Sequence, residues 1–112
     1  MSEYKNEVDF LKLIKSDEVV SGNFKVRQGS DVLMDLDLKN IKFRDCTISG
    51  GDFCSSIFNN CTFDNVLFKN LALVGVTFDN CDFIACKFSN IQLSFSMENC
   101  SVGGLIITHE FF

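Results

Sequence analysis

The chain has 112 residues, a length that sets one domain, and 46% of them are apolar, enough for a core and too many for a disordered chain. A net charge of −5 excludes an electrostatic nucleic-acid binder and favours a partner with a basic or neutral surface. No apolar run approaches the ~18 residues of a membrane span, and MSEYKNEVDF mixes both charges without a leader's apolar stretch, so a cytoplasmic protein is expected.

Residues 3–15 read as a capping helix, with Tyr4, Val8, Leu11 and Ile14/Lys15 at helical spacing. Glu3, Glu7 and Asp9 fall in its first half and Lys12 and Lys15 in its last turn, which suits the helix dipole. Residues 18–30 (EVVSGNFKVRQGS) predict a strand, or a hairpin around Ser21-Gly22-Asn23. The expected organisation is therefore a helix-and-strand cap over residues 1–30 and a repeat domain over residues 31–112.

The repeat has a beat of five. Stepping from Leu33 gives Leu38, Phe43, Ile48, Phe53, Phe58, Phe63, Phe68, Leu73, Phe78, Phe83, Phe88 and Leu93. Two residues before each lies a small or apolar one, as in Ile41, Cys46, Gly51, Ser56, Cys61, Val66 and Leu71. Two inward positions flanking one outward position is the alternation of a strand, and the polar remainder supplies a corner. The absence of proline suits backbone N–H groups engaged in ladders. Beyond Leu93 the strict beat puts Glu98 inside. A one-residue deletion near Ser94 restores it as Met97, Val102, Ile107 and Phe112.

The copies CTFDN (61–65), VLFKN (66–70), VTFDN (76–80) and CKFSN (86–90) resemble the pentapeptide-repeat family, whose consensus is A(D/N)LXX. Cys or Val stands here where Ala is usual, and Phe where Leu is common. The resemblance covers residues 31–112. It implies an all-β fold, a right-handed quadrilateral β-helix with four repeats per coil and the Phe and Leu centres inside. Seventeen repeats then make slightly more than four coils, a column roughly 20 Å tall at strand spacing.

Residues twenty apart lie above one another. One face stacks Phe43, Phe63, Phe83 and Val102; the next Ile48, Phe68, Phe88 and Ile107. A third stacks Phe53, Leu73, Leu93 and Phe112, and a fourth Phe58, Phe78 and Met97. Cys46, Cys61, Cys81, Cys86 and Cys100 take the small inward position, with Cys61, Cys81 and Cys100 in one column. Packing as small hydrophobes accounts for this spacing. Disulfides between column neighbours and a metal site are the alternatives. Cys54 faces outward, as a surface or a reactive thiol. Asn40, Asn60, Asn80 and Asn99 occupy one corner, and Asn65, Asn70 and Asn90 others, where asparagine tolerates left-handed geometry.

No nucleophile–histidine pair, phosphate loop or inward carboxylate pair is legible, so no catalytic residue, cofactor or metal is expected. The candidate partner-binding residues are Asp37, Asp79 and Glu98 on the asparagine face, Asp64 and Asp82 on the adjacent one, and the outward apolar Val74 and Ile84. They suggest a protein-binding scaffold, immunity-like in neutralising a partner enzyme or toxin. The alternative that the resemblance implies is a DNA mimic shielding a type II topoisomerase from quinolones. The terminal Phe111 and Phe112 form either a homodimer contact or the last core layer.

Overall fold

The computed structural model describes residues 6–16, 19–27 and 33–108. Helix α1 (Glu7–Ser16) leads into β1 (Val19–Lys25), β2 (Asp37–Lys39), β3 (Lys42–Ser49), β4 (Ile57–Asn59) and β5 (Thr62–Lys69). Strands β6 (Ala72–Asp79), β7 (Asp82–Ser89), β8 (Gln92–Glu98) and β9 (Ser101–Thr108) complete the order. All pairings are parallel, in a five-stranded sheet β1-β3-β5-β7-β9 and a four-stranded sheet β2-β4-β6-β8. The chain is thus a parallel β-solenoid of about four turns with one short helix at its start.

The beat of five sets the corners. Non-glycine residues with φ between 50 and 63° recur every fifth position, as at Asn40, Asp45, Ser55, Asn60, Asn65, Asn70, Asn80, Ala85, Asn90 and Asn99. Each turns the chain through one left-handed residue, so that strands β3, β5 and β7 bend at Asp45, Asn65 and Ala85 and serve two faces each. Asparagine pays the smallest penalty there among residues with a side chain.

Inside, rings stack coil upon coil. Phe43, Phe63 and Phe83 lie nearly parallel, with centroids 5.0 and 4.9 Å apart. Phe58 and Phe78 stack at 5.1 Å, and edge-on contacts between Phe58 and Phe63 and between Phe78 and Phe83 knit the two columns together. Phe68 and Phe88 meet edge-on instead. All seven rings are buried, so the axis of the column is aromatic.

The deletion is where the beat breaks. Val74 pairs with Ser94 and Val76 with Phe95, leaving Gly75 (φ 72°) as the bulged residue opposite the missing one. The frame then resumes, with Phe78 beside Met97, Phe83 beside Val102 and Phe88 beside Ile107. Val102 and Ile107 hold inward positions of the repeat yet are 52% and 43% exposed, because no described coil lies above β9.

The lower end is plugged by α1. Asn6 and Asp9 cap its start reciprocally, each backbone N–H donating to the other's side chain at 3.1 and 3.0 Å. The buried face is Phe10 and Ile14, with Leu11 and Leu13 half-buried, and Phe10 meets Phe24, Phe43 and Phe53. Val8, expected on that face, is exposed, and Tyr4 lies outside the described residues. Phe10 and Ile14 are four apart, so a rotation of about one residue, roughly 100°, from the expected stripe satisfies the same spacing. Residues 19–25 form a single strand and no hairpin. Between Val20 and Gly22 (φ 116°) β1 is one residue short of β3, which carries the extra residue at Arg44-Asp45, and Val20 and Phe24 extend the stacks under Phe43 and Ile48.

Candidate functional site

Outward side chains inherit the ladder register, so each column can be read coil by coil. Beside the asparagine corner, one column runs Lys39, Asn59, Asp79, Glu98 and the next Lys42, Thr62, Asp82, Ser101. A third runs Arg44, Asp64, Ile84, Gly103. Asp79 and Asp82 flank Asn80, with Glu98 on the coil above Asp79 and Asp64 on the coil below Asp82. The structure therefore gathers Asp79, Asp82 and Glu98 around the Asn80 corner, while Asp64 stands across the adjoining face, next to the Asn65 corner.

The strip does not run the length of the column. On the lowest coil of the same corner the positions carry Lys39, Lys42 and Arg44, and Asp37 sits there beside Lys39 at 3.9 Å. That pair is well exposed and contributes little. Among the described residues no salt bridge reaches Asp64, Asp79, Asp82 or Glu98. Asp82 does accept a hydrogen bond from the Ser101 hydroxyl. The reversal of sign along the corner was readable from the twenty-residue stacking, since Lys39, Lys42 and Arg44 stand forty residues before Asp79, Asp82 and Ile84.

The corner is stiffened by an amide ladder. The Asn60 side chain donates to Asn40 at 2.7 Å and Asn80 to Asn60 at 3.5 Å, with Asn65 donating to Asp45 and Asn90 to Asn70 on other corners. Side chains that bond up and down a ladder hold the flanking carboxylates at fixed separations.

Val74 and Ile84 are 42% and 44% exposed but do not meet. Val74 stands on the face of β6 before the Gly75 bulge, Ile84 beside Asp64, and the face carrying Asp79 lies between them. Cys54 is outward and half-buried; its N–H donates to the Asp52 carboxylate at 2.8 Å. Burial, assisted by Asp52, raises the thiol's pKa above its ordinary value. All six cysteines are free. His109, Glu110, Phe111 and Phe112 lie outside the described residues.

Among the described residues there is no group of three or more His, Cys, Asp or Glu side chains placed to hold a metal ion. No helix is long and apolar enough to cross a membrane. A scan against protein-family models finds no match for this chain, and a search of the curated proteins finds none either.

Proposed function

We propose that this chain is a pentapeptide-repeat protein that works as a non-enzymatic protein-binding scaffold, immunity-like in neutralising a partner enzyme or toxin. The family reading rests on the twenty-residue coil, the left-handed corner every fifth residue and the inward Phe column. The functional reading rests on one observation: Asp79, Asp82 and Glu98 gather at a ladder-stiffened corner, with Asp64 on the adjoining face, and no salt bridge among the described residues reaches them. A rigid anionic edge loses little entropy on docking and speeds encounter with a basic surface. Five inward thiols, kept reduced, suit a cytoplasmic setting.

The cationic first coil favours this reading over a duplex mimic. Phosphate mimicry needs one sign of charge along the column, whereas Lys39, Lys42 and Arg44 interrupt it. The exposed Val102 and Ile107 of the last described strand favour a second copy at that end.

Affinity capture from the native host with the wild-type chain and with an Asp79→Lys/Asp82→Lys/Glu98→Lys variant tests the scaffold reading. One protein retained by the wild type and lost with the variant is the expected result. A captured set that is the same for both proteins overturns the role of this corner. Unchanged quinolone susceptibility on expression would separately eliminate topoisomerase protection.

A further inference from the structure

Three thiols from consecutive coils point into the column one above another: Cys61, Cys81 and Cys100. Cys81 Sγ donates to the Phe58 carbonyl and Cys100 Sγ to the Phe78 carbonyl, each at 3.3 Å, so the two thiols repeat one geometry a coil apart. The ladder bond from Ser101 N–H to the Cys81 carbonyl, at 3.0 Å, holds their backbones one strand spacing apart. That spacing, about 4.8 Å, lies inside the Cα range a disulfide spans.

The Cys61–Cys81 pair shares this spacing, and its two thiols hydrogen-bond to each other, but it differs in two ways. Both its members are buried, at 1% and 0% exposure, whereas Cys100 is half-buried. Coils two and three are also clamped from above and below by paired strands, while β8 and β9 each pair on one side only. Side chains stacked in a parallel ladder point the same way, so bridging them requires a small shift of one backbone. Only the last coil is free to make it.

We propose that Cys100 and Cys81 form a modification site for low-molecular-weight disulfides of the glutathione class, which close a Cys81–Cys100 bond across the last two coils. The Cys100 thiolate attacks the sulfur–sulfur bond of glutathione disulfide, forming a mixed disulfide and releasing one glutathione thiolate. Cys81 gives its proton to solvent, and its sulfur attacks the Cys100 sulfur and expels the second glutathione. Two protein thiols are oxidised by two electrons, and one glutathione disulfide is reduced to two thiols. The product fastens the uncovered terminal coil to the one beneath it.

Cys54 supplies an internal control. It is similarly half-buried, but the next coil presents Val74 above it, so a glutathione placed there has no second thiol to displace it. The test incubates the folded full-length chain with glutathione disulfide, blocks remaining thiols, and maps peptides by mass spectrometry. The expected result is a Cys81–Cys100 link with two hydrogens lost, and at most a glutathione adduct on Cys54. In Cys81→Ser the glutathione should remain on Cys100, and in Cys100→Ser Cys81 should stay unmodified. Serine is tolerated at this repeat position, since the buried Ser56 donates to the Leu33 carbonyl at 2.8 Å. A stable glutathione adduct on Cys100 of the wild-type chain overturns the proposal. So does a Cys61–Cys81 link, or an unreacted Cys100 under conditions that modify Cys54. The wild-type map decides the matter alone if a variant does not fold. Amide exchange along β9 should slow several-fold in the linked form.

Discussion

Phe63 lies at the centre of the aromatic column, and replacing it with leucine measures what the stacking contributes. Its ring is fully buried, stacked between Phe43 and Phe83 at 5.0 and 4.9 Å and met edge-on by Phe58 and Phe78 at 5.5 and 5.7 Å. Leucine has three fewer carbons, which at ~0.8 kcal/mol per buried methylene-sized group costs about 2 kcal/mol. Each aromatic pair adds ~0.5–1.5 kcal/mol, and because such contacts do not sum fully, a total of about 3–4 kcal/mol follows. A domain of this size has roughly 5–15 kcal/mol to lose, so the variant should still fold. Guanidinium unfolding followed by circular dichroism reads the difference, with Phe95→Leu as the reference. Phe95 is half-buried on the last-turn strand β8, with two edge-on contacts at 5.6 Å, and its replacement should cost about 1 kcal/mol. Equal losses in the two variants would refute the claim that the stacked column dominates stability.

Three other outcomes follow from named positions. Ala85 holds a corner at φ 53° above Asn65, so Ala85→Asn should stabilise the fold by about 0.5–1 kcal/mol in the same unfolding assay, through reduced backbone strain and a third rung on that ladder. Gly51→Ala should cost more than about 2 kcal/mol, since its Cβ would lie 2.6 Å from Val26 Cγ1. Gly75→Ala, with no contact nearer than 3.6 Å, should cost only about 1 kcal/mol of backbone strain. Burial raises the thiol pKa of Cys86, and that of Cys100, above the ordinary 9.0. A proton retained by the folded state above the unfolded pKa is stabilisation lost as pH rises. Denaturation midpoints should therefore hold steady up to pH ~8.5 and fall above pH ~9. Cys86→Val should flatten part of that fall.

What the sequence disclosed and what it hid divide along the same line. Inward positions obey one rule, so the places of Phe43 through Phe88, the inward thiols and the slip near Ser94 all follow from the beat of five. The helix face was less legible. Phe10 competes with Val8 for the stripe that also holds Leu11 and Ile14 in a ten-residue helix, and only docking against Phe24 and Phe53 chooses between them. The register of Val102 and Ile107 follows from the beat, but their place in the core does not hold: both are exposed, because burial depends on a neighbouring coil, which periodicity within a coil does not encode. For the acidic corner, the same arithmetic placed Asp79, Asp82 and Glu98. It also contained the cationic first coil, which becomes visible only when whole columns, bases included, are laid side by side.

The bulge at Gly75 means that this architecture has a resettable reading frame. A residue removed between Ser94 and Phe95 is absorbed within one rung, because the coil beneath offers a glycine that can bow outward, and every later side chain recovers its correct side of the wall. Without that recovery Glu98 would point into the column and Met97 into water. The same slip occurs at the start of the column, where β1 is one residue short opposite Arg44-Asp45 of β3, so a left-handed corner without glycine absorbs it too. Length in this fold need not change in steps of five.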